Sequence, residues 1–198
     1  MANIFDEIIT KGVRAGQIPA RTQQARDWYR DQAGSFRRMN ENKFFRSDRD
    51  RLTTKPILGN MYMYFYDAKH KDTLPYYDRF PLVFPFAQAK GGFLGLNLHY
   101  LSLDQRAILM NALYDVTSNS RYDETTKLKL NYQTLTTAAK FKLFKPCVKH
   151  YLISQVETQF MYIYPSEWDI ALFLPTERFQ GARKTTVYKD SRKQILGR

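Results

Sequence analysis

Apolar residues near the N-terminus recur at helical spacing. Ile4, Phe5, Ile8, Ile9 and Val13 fall on one stripe, which predicts a helix over 4–16. Asn3 is placed to cap it, Asp6 and Glu7 suit its positive first turn, and Gly16 and Pro19 end it. A second helix is predicted from Thr22 to Gln32, with Ala25, Trp28 and Tyr29 inward and Arg26, Arg30 and Asp31 outward. Residues 37–55 are polar and mix the two signs of charge, and they read as a connecting arm.

Beyond Gly59 the pattern changes to short aromatic and aliphatic runs. Met61 to Tyr66 lacks helix breakers and predicts a buried strand. Phe80 to Phe86 is extended, and its two prolines make it an edge strand or an irregular extended run. Gly91-Gly92 marks a turn into a strand over 93–98, with Phe93 and Gly95 on one face and Leu94, Leu96 and Leu98 on the other. A capping box of Ser102 and Gln105 opens a helix through Tyr114 that is apolar almost all round and therefore mostly buried. Residues 115–126 read as a polar loop. Leu128, Leu130 and Tyr132 alternate with Lys127, Lys129 and Asn131, which suits a half-buried strand or an extended arm. Residues 134–144 are weakly helical, 147–155 read as a short helix, and 160–164 as a strand. Ser166 is placed to cap a helix that Pro175 ends, Thr176 to cap another, and the tail 183–198 is helical with Val187, Tyr188 and Ile195 inward. The pattern predicts an α+β protein: a small, curved antiparallel sheet or partly open β-barrel, a buried helix, and helical N- and C-terminal extensions.

Charge divides this plan into three. The 198 residues hold 31 Lys and Arg against 19 Asp and Glu, a net charge of +12. Residues 1–58 carry net +5 and 177–198 net +5, so a basic N-terminal arm and a basic tail flank a body over 59–176. Inside the body, 127–149 holds six lysines and no acid. Such segments attract polyanions: nucleic acid or an acidic protein surface. No apolar run approaches the 18–20 residues that span a bilayer, and the N-terminal acids do not suit a signal peptide, so no membrane role is expected. One cysteine, Cys147, precludes an intrachain disulfide.

Catalytic signals are weak. There is no nucleotide-binding glycine loop, and His70, His99 and His150 lack ligands at metal-site spacing, so no cofactor or metal is expected. His99 reads as a hydrogen-bonded structural histidine and Cys147 as a packing residue, although Lys145 and Lys149 beside it would favour a thiolate. Asp123, Glu124 and Lys127 offer the residue types of a metal-dependent nuclease, but in a loop with no strand to hold them. The stronger candidates are the cations. Lys127, Lys129, Lys140, Lys142, Lys145 and Lys149 are interleaved with Tyr132, Phe141 and Phe144, and the tail adds Arg183, Lys184, Lys189, Arg192 and Lys193. Lysines and arginines bind phosphates, and aromatics stack on exposed bases.

The runs Gly59 to Tyr66, Leu74 to Asp78, Phe80 to Val83 and Gly92 to Leu101, with Tyr164 to Trp168, resemble the DNA end protectors, minor virion proteins of T-even-like contractile-tailed phages. The likeness covers about residues 59–179. It implies a non-enzymatic virion component, assembled in the host cytoplasm, that binds the ends of packaged double-stranded DNA within a multi-subunit assembly. The alternative is a neck, tail or baseplate subunit whose basic arms grip other, acidic virion proteins. The resemblance brings no catalytic residue.

Overall fold

The computed structural model describes residues 3–19, 21–37, 40–47 and 49–197. Local signals set the first helices. In α1 (Ile4–Arg14), Asn3 Oδ1 accepts the Asp6 N–H at 2.9 Å and Asp6 Oδ2 accepts the Asn3 N–H at 3.3 Å. Phe5, Ile8 and Gly12 turn inward, while Val13, on the expected stripe, is exposed. Gly12 has no room for a Cβ because the Tyr29 ring of α2 (Gln23–Gly34) occupies that space. The Tyr29 hydroxyl donates to the Gln17 carbonyl at 2.8 Å, closing the α1–α2 corner. The segment 37–55 is more than an arm: it contains α3 (Glu41–Ser47) and the short strand β1 (Leu52–Thr53). Phe44 packs edge-on to Phe5, and Phe45 reaches Phe65 and Phe80.

The sheet is antiparallel throughout, with β1, β2 (Met61–Met63), β4 (Leu82–Ala89), β5 (Gly92–Asn97), β6 (Val148–Leu152) and β7 (Phe160–Ile163) in the order β1-β7-β2-β4-β5-β6. A separate ribbon pairs β3 (Tyr77–Asp78) with β8 (Phe179–Gln180). The molecule is thus α+β, and the sheet curls without closing. Tyr64 lies inside the curl, 4.8 Å from the Phe160 ring and 5.5 Å from that of Tyr151. Phe93 and Phe160 meet at 6.0 Å although β4 and β2 stand between their strands. This concave face is an aromatic cluster around Tyr62, Tyr64, Phe93, Tyr151 and Phe160.

The convex face carries the larger core. Leu82, Phe84, Leu96 and Leu98 of the sheet side share it with Leu109 and Leu113 of α4 (Leu103–Thr117), Leu135 of α5 (Glu124–Ala138), Ile170 and Leu172 of α6 (Trp168–Phe173), and Val187 of α7 (Lys184–Leu196). Phe5, Ile8, Tyr29, Ala33 and Phe44 belong to the same cluster, so both basic end segments contribute to it. Leu94 packs at its margin. The helix α4 rests on α5 and α6, and α5 rests on β4.

Several expectations are corrected. Phe80 to Phe86 leads into an inner strand, not an edge. Pro85 is tolerated because β2 pairs only with Leu82 and Val83, and the β4–β5 register shifts between Pro85 and Ala87. Opposite it, Gly95 leaves the space that the Val83 side chain fills. Residues 128–132 lie in helix α5 rather than a strand. Residues 148–152 form strand β6 on the β5 edge, with only a 3₁₀ turn at Ile153–Gln155. Ser166 does not cap α6; the Glu167 carboxylate accepts the Tyr164 N–H at 3.0 Å instead. Thr176 caps no helix and is buried. Helix α4 is not mostly buried: Arg106, Leu109, Met110 and Leu113 turn inward, while Leu103, Ile108 and Ala112 are exposed. Among the described residues, no helix is long and apolar enough to cross a membrane.

Candidate nucleic-acid interface

The lysine-rich segment is held by the three apolar residues inside it. After α5 the chain enters a 3₁₀ helix, Lys142–Cys147, in which Phe144, Pro146 and Cys147 turn inward. Lys140, Lys142 and Lys145 are thereby turned out to solvent, together with Phe141, which is 58% exposed. The Cys147 thiol donates to the Phe144 carbonyl at 2.8 Å. Burial pushes its pKa up to about 12, overriding the attraction of Lys149, so it is a thiol and not a reactive thiolate.

The tail packs against this same segment. Val187 and Ser191 turn α7 inward, leaving Arg183, Lys184, Lys189, Arg192 and Lys193 exposed. The face it seeks is the 142–147 3₁₀ helix, and the Lys142 ammonium lies against Gly197, the left-handed cap that ends α7. Two basic segments separated by about forty residues of chain thus pack against each other. Lys193 shares its charge with Asp190 at 3.8 Å. Lys140, Lys142, Lys145, Arg183, Lys184, Lys189 and Arg192 have no carboxylate within ion-pair distance among the described residues.

The other candidates stand apart. Lys129 lies about 14 Å along helix α5 from its C-terminal end, where the 140–145 segment begins. Lys127 is paired with Glu124 at 2.9 Å. Asp123 is the α5 cap, accepting the Thr126 N–H at 2.7 Å, and hydrogen bonds from Thr126 hold its carboxyl below the usual range. Asp123, Glu124 and Lys127 therefore start a helix rather than lying in a loop. Lys149 is partly buried on β6 with its ammonium 4.0 Å from the Tyr100 ring centre, and desolvation lowers its pKa.

Buried ionic groups tie distant elements of the fold together. Arg26 and Arg30, expected in solvent, both meet Asp169 of α6, at 2.9 and 2.7 Å. Arg51 meets Glu167 at 2.7 Å. Arg106, in the first turn of α4, donates to the Leu101 and Leu172 carbonyls, Glu177 and the Tyr188 hydroxyl. It thereby fastens α7 to α4 and α6. His99 lies between Asp78 (Nδ1 to Oδ2, 2.7 Å) and the Thr176 hydroxyl (3.2 Å from Nε2). This order of groups is that of a hydrolase triad, but a nucleophile must reach its substrate, and His99 and Thr176 are wholly buried. Asp78 also accepts from Asn97, Phe80 N–H and Arg178 N–H, which clamps the β3–β8 ribbon to the sheet. Neither network was visible in the sequence, because each partner is distant in the chain.

Among the described residues, no group of three or more His, Cys, Asp or Glu side chains is placed to hold a metal ion. Comparison with known proteins adds one result. No curated protein and no solved structure matches the chain. The family model described as "Phage T4 terminal DNA protecting protein" matches residues 1–194, which takes in the N-terminal segment and most of the tail as well as the body. The chain belongs to the phage T4 terminal DNA protecting protein family.

Proposed function

We propose that this protein binds the ends of packaged double-stranded DNA through the surface shared by the 140–145 segment and α7, and protects those ends by covering them. The observation that carries this reading is the packing of α7 on the 142–147 3₁₀ helix. It brings into contact two segments whose seven exposed cations have no ion-pair partner among the described residues. Phosphate binding by such a cluster releases counterions and gains affinity without base recognition. In this reading the body over 59–176 is the scaffold and the tail over 177–198 supplies half of the charge. The action is occlusion rather than catalysis. The protein would act in the virion, after assembly with other virion proteins in the host cytoplasm.

The test is exonuclease protection. The full chain should slow digestion of linear duplex DNA. Joint replacement of Lys140, Lys142 and Lys145 by Ala should remove most of that protection without changing the melting temperature. Equal protection by the variant would assign the activity to another surface.

A further inference from the structure

At one margin of the basic surface lies an apolar ledge. Phe141 and Ile108 are 58% and 52% exposed, and they face a shallow cleft between α4 and α5 with Ala112 and Phe144 in its wall. No residue lining this cleft is acidic. Phe141 stands directly between Lys140 and Lys142 in the chain, with Lys145 one turn further on. The α4 carboxylates, Asp104 and Asp115, stand a turn beyond either end of the Ile108–Ala112 stretch, so the cationic margin is the Phe141 side.

A duplex end differs from duplex interior in a simple way. Along the interior every base pair is stacked on both faces, and only edges and phosphates are offered to a protein. At the end, one flat apolar face is open, and phosphates surround it. An exposed aromatic ring set among lysines without ion-pair partners among the described residues is complementary to that object, whereas the interior offers it a face only after a base step is unstacked. We infer that Phe141, supported by Ile108, stacks on the terminal base pair, while Lys140, Lys142 and Lys145 hold the nearby phosphates. This rests on the DNA-end reading above and adds what would distinguish an end from the rest of the duplex. Stacking of a base on an aromatic side chain is worth roughly 5- to 150-fold in affinity, and it tolerates any base.

The experiment compares a blunt linear duplex with a covalently closed circle of the same sequence, using the full chain. The expected result is tighter binding to the linear form. Phe141→Ala should reduce the linear-to-circle ratio by about tenfold or more, with circle affinity falling far less, and Phe141→Trp should keep the ratio. Phe141 is exposed, so both variants should melt with the parent protein. Equal binding of linear and circular DNA by the parent overturns the end cap but leaves the basic surface as a DNA site. Binding to neither overturns both. A ratio unchanged in Phe141→Ala overturns the cap, as does a variant that binds both DNAs normally yet fails to enter particles, which would mark the ledge as a protein contact.

Discussion

Arg106 Nη2 lies 2.6 Å from Glu177 Oε1, an ion pair buried across 71 residues of chain. The guanidinium also donates to three backbone carbonyls and to Tyr188. Its position decides whether α7 is a loose tail or a fixed face of the molecule. Removing one member of a buried pair leaves the other uncompensated, at a cost of about 3–5 kcal/mol. Arg106→Leu should therefore lower the melting temperature sharply and release α7 to rapid hydrogen exchange. A normal melt with α7 still protected would show that the pair does not anchor it.

The same pair makes stability depend on acid. Burial alone would raise the Glu177 pKa, but Arg106 and His99 outweigh it and hold the carboxyl down to about 2. A carboxylate depressed in the folded state contributes stability above its unfolded value near 4.5. That contribution, on the order of 2–3 kcal/mol, is lost as pH falls towards 2. Denaturant melts from pH 6 to pH 2 should show this loss, and Glu177→Gln should flatten it. An unchanged acid limb in the variant would move the effect to another group.

Core and surface should separate cleanly in substitution. Leu109 is buried on α4 in the main core, so Leu109→Ala should cost about 2–5 kcal/mol through lost transfer energy and a cavity. Arg192 is exposed on α7 without an ion-pair partner, so Arg192→Ala should change stability by less than about 0.5 kcal/mol. It should weaken DNA binding instead. Thermal melts beside binding isotherms check both, and the reverse pattern would contradict the separation of scaffold from charge.

What the sequence reveals follows from how local each signal is. The Asn3 cap, the Leu96–Leu98 face and the Val187 side of the tail depend on neighbours a few residues away, and all three are legible. Helix α5 is not, because Lys127 to Tyr132 alternates polar and apolar residues as a strand does. Its true inward positions, Asn131, Leu135 and Ala138, are helically spaced, but the first is polar and hides the stripe. The strand β6 is equally hidden: its pairing with β5 is supplied by a partner more than fifty residues away. Arg26 and Arg30 look solvated until Asp169, 143 and 139 residues on, is placed against them. The candidate site divides in the same way. Its lysines are plain from composition, whereas their union with α7 depends on tertiary packing. The sequence also gives no sign that Lys149 and Lys127 are engaged elsewhere.

If the 140–145 segment and α7 contact phosphates, the salt dependence of DNA binding must report it. Each phosphate neutralised on duplex DNA contributes about −0.9 to the slope of log K against log salt. The parent protein should show a steep negative slope. Replacing Lys140, Lys142 and Lys145 together with Ala should make it shallower by about 2–3. A flat dependence in the parent, or a slope that the triple variant leaves unchanged, would contradict the account.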